Sequence, residues 1–267
     1  MNPSAERPIG IFDSGIGGLT VLRALQDRLP RERLIYLGDT ARVPYGTKSP
    51  ETVIRYSLLI AQYLRRSDIK FLVVACNTAS AHAMPALRAA HPDLPILGVV
   101  DPGAEAAAAA TRNKKVAVLA TEGTVRSGAY QRALAERGVT SSIARACPLF
   151  VPLAEEGWGD DEVVRLVAEK YLADVRAAGA DTAILGCTHY PLLKGAIARA
   201  LGPGITLVDS AVTTAEAVAK RLSAEGLASA AGAGSSRYLL TDGNTRFSEV
   251  GARFLGHPLE NVEIVDL

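Results

Sequence analysis

Short apolar runs alternate with stretches of helical periodicity from one end of the chain to the other, and this alternation most narrows the folds open to it. Ile9 to Phe12, Leu34 to Leu37, Phe71 to Ala75, Ile96 to Val99, Val116 to Ala120, Thr182 to Gly186 and Ile205 to Val208 are too short and too uniformly apolar for amphipathic helices. They read as strands of a parallel sheet buried on both faces by helices. The intervening helices are equally legible. Val21, Leu22, Leu25 and Leu29 share one face of a helix that starts after Gly17-Gly18 and stops at Pro30. Ser49, Pro50 and Glu51 open another, running to about Arg66, through a cap, a preset backbone angle and a negative charge at the positive helix end. A third is read in "GDDEVVRLVAEKYLADVRAAG", with acidic residues first, Val164, Val167, Tyr171 and Val175 at helical spacing, and Gly179 last.

The pattern also repeats itself. "VVACNTAS" from Val73 and "AILGCTHY" from Ala183 are each an apolar run, a small residue, a cysteine and a polar pair, with Cys187 following Cys76 by 111 residues. "IGIFDSGIGGLTVLRAL" from Ile9 and "VAVLATEGTVRSGAYQRAL" from Val116 are each strand, glycine-containing polar turn and helix, offset by 107. A duplicated unit of one domain's length predicts an α/β fold of two similar doubly wound parallel-sheet domains related by a pseudo-two-fold axis, with the active site in the cleft between them. Residues 1–98, with 210–267 returning, are expected to form the first domain and 99–209 the second. The 267 residues suit two domains of modest size.

Composition excludes several partners. With 29 basic and 28 acidic residues and a net charge of +1, the chain lacks the electrostatic footprint of a phosphate-backbone binder, so nucleic acid is not an expected partner. The opening "MNPSAERPIGIF" lacks the charged-then-apolar order of a signal peptide, and no apolar run approaches the ~18 residues of a membrane span. A cytoplasmic protein with no membrane partner is expected. Cys76, Cys147 and Cys187 are odd in number and show no C-x-x-C spacing, which argues against a disulfide framework or a cysteine-rich zinc site. His82 and His91 lack metal-like spacing. "GLASAAGAGSSR", residues 226–237, reads as a mobile surface loop, followed by a strand at Tyr238 to Leu240, a turn at "DGN", a helix through "TRFSEVGARFLG" and a closing apolar run "VEIVD".

Open parallel sheets bind ligands beyond the carboxyl ends of their strands, where Cys76 and Cys187 both fall. If the two domains face each other, so do the two thiols. One thiolate then removes a proton from carbon while the other thiol delivers one to the opposite face, inverting the centre. A thiol suits this task because a nearby cation or helix N-terminus brings its reference pKa of ~8.5 toward neutrality. Asn77 and Thr78 open a helix after Cys76, and Thr188, His189 and Tyr190 follow Cys187, with His189 able to supply a proton or stabilise a thiolate. Cys147 has no matched context and reads as packing. "DSGIGG" at Asp13 to Gly18 allows three readings. A nucleotide turn, with Asp39 as the ribose-binding acid, is disfavoured by Thr20 where a glycine is needed and by the missing phosphate-binding lysine. A small carboxylate held by turn amides and Ser14, with Asp13 as acid/base helper or ammonium anchor, is the second; a plain helix cap is the third. "GDTARVPYG", ending in Tyr45 and Gly46, is a turn-rich loop at the same sheet edge.

Taken together, "IGIFDSGIGGLTVL", "YLGDTARVPYG", "VVACNTASA", "TEGTVRSGAY", "CPLFVPLAEEG" and "LGCTHYPLL" resemble, in order and over nearly the whole chain, the cofactor-independent glutamate racemases of bacteria. The resemblance implies interconversion of L- and D-glutamate by two thiols, without pyridoxal phosphate or metal, supplying D-glutamate for peptidoglycan, in a homodimer. It implies Cys76 and Cys187 as the acid/base residues, with Asp13 and His189 as their polar helpers. Asp13, Ser14, Tyr45, Gly46, Asn77, Thr78, Thr188 and His189 would contact substrate, and Glu155 of "PLAEEG" matches a further acidic residue of the family's pocket. His189 after the second Cys-Thr is closer to the glutamate than to the aspartate enzymes. Related enzymes act on aspartate, hydantoins or malonates, and a binding or regulatory protein on the same scaffold, of the kind said to act on DNA gyrase, is the reading from a different class.

Overall fold

β1 (Ile9–Asp13) is buried at every position, as expected of a strand covered on both faces. The computed structural model describes residues 3–230, 234–243 and 245–267. After β1 come α1 (Leu19–Arg28), β2 (Arg33–Gly38), α2 (Pro50–Arg65), β3 (Phe71–Val74), α3 (Asn77–His82), α4 (Met84–Ala90) and β4 (Ile96–Gly98). α5 (Val100–Ala110) leads to β5 (Lys115–Ala120), α6 (Glu122–Ser127), α7 (Ala129–Glu136), β6 (Ser141–Ala146), α8 (Phe150–Glu155), α9 (Glu162–Ala177), β7 (Thr182–Gly186), α10 (Lys194–Leu201) and β8 (Thr206–Asp209). α11 (Ser210–Ala224), β9 (Ser235–Leu240), α12 (Thr245–Leu255) and β10 (Val262–Ile264) complete the chain.

Two parallel sheets result, ordered β10-β9-β2-β1-β3-β4 and β6-β5-β7-β8. Without β9 and β10, each reads second-first-third-fourth strand, so the repeat visible in the sequence is a repeat of topology. Period-two burial joins the two sheets. Ile9, Ile11, Phe71 and Val73 share one apolar cluster with Ala117, Leu119, Ala183 and Leu185. The alternate residues Phe12, Leu72 and Val74 face a second cluster, and Val116, Val118 and Ile184 a third. α11 packs on α1 and α5 at the junction.

Local signals act as expected. Ser49 Oγ accepts the Thr52 N–H at 3.3 Å, and Asp161 caps α9 through the Val163 N–H at 2.8 Å. The buried stripe of α9 is Val164, Ala168, Leu172 and Val175, with Val167 and Tyr171 half-buried beside it. One expectation is corrected, and one strand goes beyond those expected. The segment expected as a loop from 226 to 237 ends in strand, because Ser235, Ser236 and Arg237 pair with Arg33, Leu34 and Ile35 of β2; residues 231–233 of that segment, and Asn244 of the "DGN" turn, lie outside the described residues. β6, which carries no apolar run, is an edge strand with no fully buried residue, so nothing in its composition announces it. Among the described residues no helix is long and apolar enough to cross a membrane.

Candidate active site

In each sheet the strand order reverses beside the first strand, between β1 and β3 and between β5 and β7, and such switch points open a crevice at the carboxyl ends. Both crevices contribute to one cavity of about 170 Å³, lined by Cys76 just past β3 and Cys187 just past β7. The two residues are 5% and 6% exposed, and both thiols are free. Cys147, fully buried in the shared core, is free as well, its Sγ donating to the Arg145 carbonyl at 3.6 Å.

The surroundings of the two cavity thiols differ. Cys76 is the N-cap of α3, its Sγ accepting the Ala79 N–H at 3.4 Å. Burial, and then the nearby Asp13 carboxylate, push this thiol up to about 12, against the opposing pull of the Ala79 amide and the Ser14 hydroxyl. Asp13 itself is buried behind the wall, its Oδ2 accepting the Gly15 N–H at 3.1 Å while Oδ1 has no hydrogen-bond partner. Desolvation raises its pKa, in spite of the attraction of His189 and of backbone N–H groups.

On the opposite side, Cys187 Sγ lies 3.8 Å from Nδ1 of His189, whose Nε2 is 2.9 Å from Glu155 Oε1. Burial alone would depress the histidine, but hydrogen bonding to Cys187 and Glu155 carries it up to about 10, so both ring nitrogens hold protons at neutral pH. Phe254 of α12 meets the imidazole edge-on, with ring centres 5.1 Å apart. The site therefore pairs a protonated thiol on one side with an imidazolium beside the thiol on the other.

Neutral donors and apolar side chains share the rest of the wall. Asn77 turns its Oδ1 to the Tyr130 hydroxyl at 2.7 Å, leaving a buried Nδ2 without a partner in a residue that lines the cavity. Thr78 Oγ1 lies 2.9 Å from Thr121 Oγ1 and 3.2 Å from Thr124 Oγ1, joining the starts of α3 and α6 across the two sheets. Ser14, Tyr45, Gly46 and Thr188 complete the predicted lining. The glycines serve close approach: a Cβ on Gly17 would stand 2.3 Å from Thr188 Oγ1 and 2.4 Å from His189 Nδ1, and one on Gly46 would stand 2.9 Å from Thr121 Cβ. The "DSGIGG" turn thus presses against the second cysteine's loop. Asp39 does not stand free for a ribose, since Arg42, Tyr45 and Thr241 occupy its carboxylate.

Of the residues expected to touch substrate, Asp13 and Glu155 do not line the cavity. Asp13 sits beneath Cys76's surroundings, and Glu155 stands behind His189, half-buried, with its carboxylate turned to the ring. Reasoning from sequence did not single out Val43, Pro44, Thr47, Thr121, Glu122, Pro148, Val151 or Pro152, which also line the wall. The repeat held the signal for two of them: the offset of 107 that relates β1 to β5 carries Ser14 to Thr121 and Tyr45 to Pro152. Among the described residues, no group of three or more His, Cys, Asp or Glu is placed to hold a metal ion.

Residues 19–218 match the family model described as Asp/Glu/Hydantoin racemase. The chain belongs to this racemase family. A glutamate racemase of Geobacter metallireducens is 54% identical to it over 263 residues, covering 98% of this chain and 97% of the relative. Among solved structures of the family, glutamate racemase from Thermus thermophilus in complex with β-chloro-D-alanine is 48% identical with a TM-score of 0.90, and covers 98% of both chains. That from Francisella tularensis in complex with D-glutamate is 34% identical with a TM-score of 0.93, again over 98% of both chains.

Proposed function

We propose that this member of the racemase family interconverts L- and D-glutamate by a two-base mechanism, supplying D-glutamate for peptidoglycan in the cytoplasm. The observation that carries the reading is the placement of Cys76 and Cys187 on one small cavity at equivalent strand ends of a duplicated fold. Residues 1–98 with 210–267 and residues 99–209 are taken as the two domains, with glutamate in the cleft between them and two chains forming the active dimer.

In the L-to-D direction Cys187, beside the His189 imidazolium, acts as the thiolate base. It takes the α-proton, the C–H electron pair passes into the adjacent carboxylate as the centre flattens, and the Cys76 thiol returns a proton to the other face. Cys187 ends as thiol and Cys76 as thiolate, so the reverse reaction starts from Cys76 and D-glutamate. When D-glutamate instead meets the resting protein, in which Cys76 is a thiol, Asp13, held unusually basic by burial, would accept the proton that Cys76 must first lose. His189 exchanges protons with Cys187, and Glu155 orients the imidazole and sustains its charge. Ser14, Asn77, Thr78 and Thr188, with the Tyr45-Gly46 backbone, would hold the two carboxylates, the unpartnered Asn77 Nδ2 being a donor available for the purpose. Proton transfer by positioned groups of this kind contributes about 10²–10⁴-fold each to a rate.

The direct test follows the circular dichroism of L-glutamate with chelator-treated, pyridoxal-free protein whose thiols are reduced. Decay of the signal to zero is the expected result. A constant signal with glutamate and decay with aspartate would move the substrate assignment, and no decay with either would reject the racemase reading of this chain.

A further inference from the structure

The loop that carries Tyr45 and Gly46 onto the cavity wall consists of two single 3-10 turns, Thr40–Arg42 and Tyr45–Thr47, and belongs to neither a strand nor an α-helix. Its shape therefore rests on side chains. One carboxylate gathers them. Asp39, wholly buried at the end of β2, accepts the Tyr45 hydroxyl on Oδ2 at 2.5 Å, and on Oδ1 it accepts Arg42 Nη1 and Thr241 Oγ1, both at 2.8 Å. Its own N–H donates to the Asp13 carbonyl at 3.0 Å. Charge-assisted bonds of this type are the stronger class, and three donors converging on one buried carboxylate leave the loop little alternative geometry.

The third donor comes from elsewhere in the chain. Thr241 and Asp242 follow β9, a strand with no counterpart in the other sheet, and they are laced to the loop: Thr241 Oγ1 also accepts the Ala41 N–H at 3.0 Å, and Thr40 Oγ1 accepts the Asp242 N–H at 2.8 Å. On its far side the loop meets the second sheet, where Gly46 packs on Thr121 and its carbonyl would lie 2.9 Å from a Cβ on Gly123. The loop thus spans from β2 and β9 to the start of α6 and closes the cavity along the way.

We infer that Asp39 is a positioning residue of the substrate site: it fixes the Tyr45-Gly46 wall, and through Thr241 it makes the appended C-terminal strand part of that site. The inference rests on the reading that glutamate occupies this cavity. Asp39 touches neither thiol and takes no part in proton transfer, so its loss weakens binding and leaves the chemistry and its pH limbs in place.

Asp39→Asn keeps the side chain's shape while removing the charge and presenting an N–H₂ group to donors, and Thr241→Val removes one bond from the other partner. Asp39→Asn is expected to raise KM for both glutamate enantiomers about tenfold, the scale of one charge-assisted bond, with kcat within about threefold and an unmoved pH profile. Thr241→Val is expected to do the same more weakly. In a double-mutant cycle with Tyr45→Phe the Asp39→Asn effect shrinks, because the two changes remove a shared bond. Amide hydrogen exchange supplies a readout independent of turnover: residues 40–47 exchange faster in Asp39→Asn, while β1 and β3 keep their protection. Unchanged KM with unchanged exchange overturns the inference, and so does a fall in kcat with a displaced pH limb at constant KM, which would make Asp39 part of the proton path. If the unaltered protein fails to turn over glutamate, the proposed function falls, and the exchange experiment still decides whether Asp39 holds the loop.

Discussion

Glu155 Oε1 lies 2.9 Å from Nε2 of His189, on the opposite side of the imidazole from Cys187. A carboxylate behind a histidine that stands beside a thiol keeps the ring protonated and fixes its orientation. Replacing Glu155 with Gln removes one of the interactions that hold His189 at about 10. The alkaline limb of kcat/KM is therefore expected to move to lower pH, with a loss of activity in the range of 10- to 100-fold characteristic of a supporting partner. A pH–rate profile with an unmoved alkaline limb would show that Glu155 does not act through the ring.

The same histidine makes a stability prediction. Its pKa rises from 6.5 in the unfolded chain to about 10 in the fold, so the native state binds the proton more tightly. The resulting stabilisation is complete below pH 6.5, declines as pH increases beyond it, and is lost on passing through about 10. Denaturant unfolding of the parent and of His189→Gln should give a stability difference that narrows between those limits. A difference independent of pH would contradict the imidazolium assignment.

Asp13 acts on Cys76 in the opposite sense. After burial, its carboxylate is the next cause of the high thiol pKa. Asp13→Asn removes that charge and is expected to lower the Cys76 pKa and speed its alkylation by iodoacetamide at pH 8, located by peptide mass analysis, while racemisation falls. Equal alkylation rates in the two proteins would count against the coupling.

Gly17 has no space for a side chain, because its Cβ would intrude on Thr188 Oγ1 and His189 Nδ1. Gly17→Ala is expected to destabilise the fold by about 1–3 kcal/mol, as overpacking does, and to reduce kcat by displacing His189 from Cys187. Thermal unfolding and steady-state kinetics check the two effects separately. A fully active, fully stable variant would mean that the turn has slack not evident in the geometry.

The strands of the two sheet interiors were legible because both of their faces are buried, which compresses the hydrophobic signal into runs such as Phe71 to Val74 and Thr182 to Gly186. β6 and the start of β9 were not, since Ser141 to Ala146 lies at a half-exposed edge and Ser235 to Arg237 is held in strand by pairing with β2. The two cavity cysteines stood out through duplication; each alone would pass for packing, as Cys147 does. Glu155 and His189 are 34 residues apart, so their pairing rests on tertiary structure; His189 was legible from its place after Cys187, whereas only the family resemblance suggested Glu155. The glycines of "DSGIGG" were visible, but their purpose was not: they admit Thr188 and His189 rather than a phosphate. Asp39 was likewise visible, with its three donors brought together only by the fold.

In the proposed mechanism two thiols on opposite faces of one substrate exchange its α-proton with solvent. The most direct measurement incubates L-glutamate with the protein in deuterated water and follows the isotopic content of both enantiomers early in the reaction by chiral separation and mass analysis. Two opposed bases predict that the D-glutamate formed carries one α-deuterium while the remaining L-glutamate keeps its protium. D-glutamate that retains the original α-proton, or deuterium entering both enantiomers at equal rates from the start, would indicate one base acting on both faces and contradict the account.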